Sequence, residues 1–167
     1  MIRNGKNDDL PSIMRMVEGT IKIMKEEQND QWDETYPTLQ TFEQDIQNGS
    51  LFVLEENGYV IGSITVDLNL PDEYSSHSIL WRKNGKAFTF HRLVVHPAGR
   101  GQGIASKLIS YAEEVAIQNE IPYLKIDTYS LNKKAQALFE KNGFCKAGEM
   151  AFQGKKSPFY CYDKILG

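Results

Sequence analysis

Residues 87–119 constrain this chain more than any other stretch. AFTFHRLVVHP alternates as a β-strand does, with Phe88, Phe90, Arg92 and Val94 on one face and Ala87, Thr89, His91, Leu93 and Val95 on the other. Gly99, Gly101 and Gly103 follow within five residues. Ile104, Leu108, Ile109, Ala112, Val115 and Ala116 then recur at helical spacing to about Asn119. Glycine loses more conformational freedom on folding than any other residue, so three in one ordered turn must answer to a backbone requirement. A strand that enters a helix through such a turn has the geometry of an anion site. First-turn amides lack intrahelical acceptors, and the macrodipole puts roughly half a positive charge there. Arg100 and Lys107 add full charges, while Gly101 and Gly103 carry no Cβ to hold a phosphate away. The stretch predicts a diphosphate cradle.

Spacing decides which diphosphate. A P-loop needs G-x-x-x-x-G-K-[ST], and no reading of GRGQGIASK supplies it. A dinucleotide fingerprint needs G-x-G-x-x-G/A after an early strand, but counting from Gly101 the third position is Ser106. What remains is R-x-x-G-x-A, Arg100 to Ala105.

The rest of the chain predicts alternating elements. Ile2 to Asn4 is a short strand. Leu10, Ile13, Met14, Val17, Ile21 and Met24 form a helical stripe, with Asp8 or Asp9 as cap and Pro11 in the first turn. A polar stretch carrying Trp32, Tyr36 and Pro37 leads to a short helix near Thr41 to Gln47. LFVLEENGYVIGSITVDL reads as a hairpin turning at Asn57-Gly58. Asn69 to Lys86 reads as loop. YLKIDTYS is a strand; Asn132 caps a helix with Ala135, Leu138 and Phe139 that Asn142-Gly143 ends; strands at Phe144–Phe152 and Phe159–Ile165 close the chain. The predicted order is β-α-α-β-β-β-α-β-α-β-β.

At 167 residues this fits one domain over 1–167. A net charge of −3 argues against a nucleic-acid partner, whose binding rests on neutralised phosphates. No apolar run reaches membrane-spanning length, and MIRNGKNDDL holds no leader-like apolar core, so neither membrane nor export is expected and the expected location is cytoplasmic. Cys145 and Cys161 make neither a metal-ligand spacing nor a disulfide framework; no metal is expected.

On Arg100 to Ala105, and on SLNKKAQALFEKNGF downstream, the sequence resembles the GNAT superfamily of acetyl-CoA-dependent N-acetyltransferases. The resemblance runs from about Ala87 to Phe144 and implies an α/β fold: a mixed, largely antiparallel central sheet of six to seven strands flanked by about four helices. It implies acetyl-CoA or coenzyme A as cofactor. The backbone of Leu93, Val94 and Val95 would pair with the pantetheine arm, and amides of Arg100, Gly101, Gln102, Gly103, Ile104, Ala105 and Ser106 would hold the pyrophosphate. Asn132 and Phe139 would also border the cofactor.

The implied chemistry is attack of a neutral amine on a thioester. Deprotonating an alkyl amine at pH 7 costs roughly 4–5 kcal/mol, whereas releasing a thiolate costs roughly 2 kcal/mol, so a base matters more than an acid. Many family members carry a tyrosine acid where this chain has Phe139, and a strand glutamate that AFTFHRL lacks. His91 and Asp127 are the candidate bases, and Tyr129 or Tyr160 the candidate acids. Trp32 and Tyr36 are candidate acceptor-binding aromatics. The expected activity is acetyl transfer to a primary amine of a small molecule or peptide, with a homodimer admitted. A non-catalytic acyl-CoA-binding module is the alternative that Phe139 and the absent glutamate keep open.

Overall fold

The computed structural model describes all 167 residues, Met1 to Gly167. Its contacts divide the chain into two compact units, residues 1–66 with 91–111, and residues 67–90 with 112–167.

The first unit holds most of a four-stranded sheet in the order β1-β2-β3-β4. Its strands are β1 (Ile2–Asn4), β2 (Leu51–Glu56), β3 (Tyr59–Asp67) and β4 (Thr89–Val95). β1 and β3 both run antiparallel to β2, in registers that include Ile2 opposite Leu54 and Leu51 opposite Thr65. Asn57 and Gly58, at φ 52° and 80°, make the left-handed pair that a two-residue Asn-Gly hairpin requires. Helices α1 (Leu10–Glu26) and α2 (Leu39–Gln47) bring Ile13, Met16, Val17, Met24 and Phe42 onto Leu51, Val53 and Val94 in one core. Met16, not Met14, lies in the buried stripe; Met14 and Ile21 flank it. Asp9 stands at the N-cap of α1 but makes no cap bond, because its carboxylate accepts from Arg3 Nη1 and Nη2 at 2.8 and 2.9 Å. α2 starts two residues before the expected Thr41, capped by Thr38. Helix α3 (Ile104–Gln118) approaches β3 closely: a Cβ on Gly62 would meet Leu108 Cδ1 at 2.9 Å.

The second unit holds a three-stranded antiparallel sheet in the order β5-β7-β6. Its elements are β5 (Tyr123–Tyr129), α4 (Lys133–Lys141), β6 (Cys145–Met150) and β7 (Phe159–Ile165). The predicted loop at 69–86 is tied down along its length. It forms a helical turn at Asp72–Ser75, and Leu80 N–H donates to the Ala147 carbonyl at 2.8 Å. Arg82 donates its amide and Nε to fully buried Asp163 at 2.9 and 2.8 Å, and Tyr123 Oη donates to the same carboxylate at 2.6 Å. No helix is long and apolar enough to cross a membrane.

Candidate functional site

The glycine turn runs from the end of β4 into α3. His96 Nδ1 accepts from the Ala98 amide at 3.1 Å, opening a helical turn at Pro97–Gly99. Gly101 and Gly103 follow at φ 81° and 76°. A Cβ on either would meet nothing within 4 Å, so they are needed for left-handed backbone and not for room inside the protein. Gly99 differs: its Cβ would strike Ile104 Cδ1 at 2.6 Å. Arg100, Gly101, Gln102, Gly103 and Lys107 are exposed, Ile104 is buried beneath the turn, and Ala105 and Ser106 are half-buried. An exposed, side-chain-poor turn at a helix N-terminus with two flanking cations fits a diphosphate. The turn also walls a cavity of about 590 Å³ with Ser12, Arg15, Asn57 and Tyr59.

The alternation expected along β4 breaks at Arg92, whose φ is 50°. Left-handed backbone costs a residue with a Cβ roughly 1–2 kcal/mol. Gln28, Asn57, Glu120 and Gln153 share it but lie outside the strands and helices; Arg92 is the residue that adopts it inside a strand. Its guanidinium grips Asp45 of α2 through Nε at 2.7 Å and Nη2 at 2.6 Å, and donates through Nη1 to Tyr36 Oη at 2.9 Å. Thr65 Oγ1 of β3 donates to the same Asp45 carboxylate at 2.8 Å. Burial opposes charge on Arg92, but the bonds to Asp45 and Tyr36 outweigh it and hold the group above the ordinary arginine range. His91, expected on the opposite face, has its Nδ1 3.5 Å from Arg92 Nη1. Guanidinium only donates, so in this contact Nδ1 is the acceptor. Leu93 and Val95 are half-buried, while Val94 is in the core.

Trp32 is 7% exposed and packs in the α1–α2–β2 core, so it is not an exposed ring. Tyr36 is half-buried with its hydroxyl turned to Arg92. In the second unit, half-buried Asp127 accepts from Tyr74 Oη at 2.6 Å. Burial and the Asp127 charge push the Tyr74 phenol well above its usual value, which makes it a holder of Asp127 and a poor proton donor. Tyr129 is 1% exposed against Phe159. Tyr160 is half-buried with Lys146 Nζ over its ring. Asn132 Oδ1 accepts from the Ala135 amide at 3.2 Å, as an N-cap does. Phe139 is sealed among Phe90, Phe144 and Tyr162. The structure therefore brings His91, Arg92 and Tyr36 together at β4, the strand that leads into the turn, and Asp127 together with Tyr74. No three His, Cys, Asp or Glu side chains form a metal-ligand group.

Sequence reasoning missed Asp45 and Tyr74. Asp45 had a signal, since it falls three residues after buried Phe42, on the face α2 buries. A charged Arg92 among Phe88, Phe90 and Val94 was its counterpart. Tyr74 had none, being one tyrosine in a polar segment.

The model of the Acetyltransferase (GNAT) family matches residues 18–144, and the chain belongs to that family. It is 31% identical over 94 residues to the uncharacterised N-acetyltransferase YhfO of Bacillus subtilis (strain 168), covering 56% of this chain and 57% of that protein. It is 24% identical over 109 residues to the S-(2-succino)cysteine N-acetyltransferase of the same organism, covering 62% and 59%. The chain thus spans less than two thirds of either relative. Among solved structures, one from Staphylococcus aureus Mu50, named a candidate acetyltransferase, shares 37% identity at a TM-score of 0.77 over 100% of this chain and 99% of that one. A GNAT-family acetyltransferase from Streptococcus agalactiae 2603 has the same fold at a TM-score of 0.88 and 24% identity, over 100% and 95%.

Proposed function

We propose that this chain transfers an acetyl group from acetyl-CoA to the primary amine of a small molecule or peptide, the amine attacking the thioester directly. The observation that carries the proposal is the exposed turn at Gly101 and Gly103, left-handed at both and open above both Cα atoms, at the N-terminus of α3. Acetyl-CoA would supply the activated acetyl thioester. The amides of 100–106 would hold its pyrophosphate, with Arg100 and Lys107 adding charge, and the backbone of Leu93–Val95 would hold the pantetheine arm as a strand holds its neighbour.

His91 is the proposed base. It sits beside the kink in β4, half-buried, and a neutral imidazole is the side chain suited to take the amine proton near pH 7. For Nδ1 to take that proton, its contact with Arg92 must open. Asp127 shares its carboxylate with Tyr74, and Tyr129 is enclosed, so each is a weaker candidate. A second reading, a non-catalytic acyl-CoA-binding module, is favoured by Phe139, which offers no proton and lies among aromatic rings.

Thiol release from acetyl-CoA over a panel of amines separates the two. The panel includes S-(2-succino)cysteine, for which one relative is named. Turnover on any amine, and loss of the rise of rate with pH in His91→Ala, support transfer with His91 as base. CoA binding without thiol release over the whole panel would establish the binding module instead, and an unchanged pH profile in His91→Ala would remove His91 from the reaction.

A further inference from the structure

Left-handed backbone at Arg92 is not explained by its local sequence. Arginine has no affinity for that region, the flanking residues are extended, and the other non-glycine residues that adopt it lie outside the strands. A strained conformation persists where the surroundings over-determine it, and here the surroundings are specific. Three guanidinium nitrogens are engaged: Nε and Nη2 by Asp45, and Nη1 by Tyr36. The side chains of Arg92 and Asp45 are only 11% and 6% exposed, so the pair is dry and hard to rearrange. Asp45 is itself fixed from two directions, by its place on α2 and by the hydroxyl of Thr65 on β3. A charged pair of this kind is poor at adding stability compared with an apolar pair, which leaves a geometric role as the reason to consider.

The geometry points to a clamp: Asp45, steadied by Thr65 and aided by Tyr36, holds Arg92 in left-handed backbone and thereby sets the kink of β4. A left-handed residue in a strand interrupts the ladder and re-aims its neighbours. Its neighbours are His91 on one side and Leu93, Val94 and Val95 on the other. The 3.5 Å approach of His91 Nδ1 to Arg92 Nη1 is one visible consequence, since regular alternation would send those side chains to opposite faces. Asp45, Thr65 and Arg92 are positioning residues; none is assigned contact with cofactor or acceptor. Tyr36, the candidate acceptor-binding aromatic, then has its hydroxyl engaged in the clamp, leaving the face of its ring as the part that can meet another group. The functional consequence rests on the reading of β4 as the strand that receives CoA; the kink itself does not.

Two double variants isolate the clamp without leaving a buried unpaired charge. Asp45→Ala with Arg92→Ala removes the pair and keeps a Cβ at 92, whereas Asp45→Ala with Arg92→Gly removes the same pair and frees the backbone to be left-handed. In the ligand-free protein, the Cα and Cβ chemical shifts of residue 92 are expected to change from left-handed to extended values between the wild type and the alanine pair. CoA affinity is expected to fall at least about tenfold in the alanine pair and to stay within about threefold of wild type in the glycine pair. Left-handed shifts retained in the alanine pair would overturn the clamp, and so would a glycine pair that binds CoA as weakly as the alanine pair. A wild type that binds no CoA would defeat the proposed function, and the shift measurement would still decide the clamp.

Discussion

Gly99, Gly101 and Gly103 lie within five residues but answer to two constraints. Gly99 is required because Ile104 Cδ1 occupies the place of its Cβ, whereas Gly101 and Gly103 are required by their positive φ. Single residues elsewhere are set by burial in the same direct way. Cys161 is fully buried, and burial together with the charge of Asp127 pushes its thiol up to about 12, while Cys145 is exposed. Folding therefore holds the proton on Cys161 more tightly than the unfolded chain does. That contribution to stability is whole below the ordinary value of 9.0 and is lost as pH rises from there towards about 12. Iodoacetamide at pH 8 should add a single group to the native protein, at Cys145, and a second only after denaturation. Two additions to the native protein, read by peptide mass mapping, would contradict the burial of Cys161. The glycine spacing and the Asn132 cap were legible in the sequence because each is a local backbone device. The Asp45–Arg92 pair joins residues 47 apart, and no periodicity reports such a partner.

Among the elements, the segment between β3 and β4 is the loop its sequence predicts, apart from the helical turn at Asp72–Ser75, but it is a docked one. Its Pro, Ser and Gly content reads as loop, yet its side chains reach three strands of the second unit: Tyr74 to β5, Ser78 to the Glu149 carbonyl of β6 and Arg82 to β7. At Gly148 the segment comes so close that a Cβ would collide with the backbone at Ser78 and Ile79. Backbone cannot yield as a flexible side chain can. Gly148→Ala should cost about 1–3 kcal/mol, seen as a fall of several degrees in Tm, and should speed proteolysis between residues 76 and 82. An unchanged Tm with unchanged proteolysis would mean that the segment is not docked on β6. Helices and strands with strong periodicity were read with small boundary errors, α2 by two residues and the α1 stripe by one methionine. β4 was read in the right place, but the left-handed backbone at Arg92 was not legible, since alternation assumes a regular backbone and does not report the ion pair to Asp45.

For the whole molecule, the seven strands and four helices follow the order that the sequence predicts, and the family assignment agrees with them. The glycine turn proposed to hold the cofactor was the most legible part of the candidate site, because its left-handed Gly101 and Gly103 are a backbone device, and glycine spacing records what backbone does. The acceptor side was poorly legible for the opposite reason. Its candidate side chains meet partners far away in sequence: Trp32 is buried in the core, and Tyr36 is bonded to Arg92. The proposed acetyl transfer depends on the turn at 99–103 holding CoA. Calorimetric titration of CoA into the wild type and into Gly103→Glu tests this directly, since a carboxylate placed in the turn would repel the pyrophosphate. The expected result is saturable binding to the wild type that neither ATP nor NAD displaces at equal concentration, and no measurable binding to Gly103→Glu at unchanged secondary structure. Equal CoA affinity in the two proteins would contradict it.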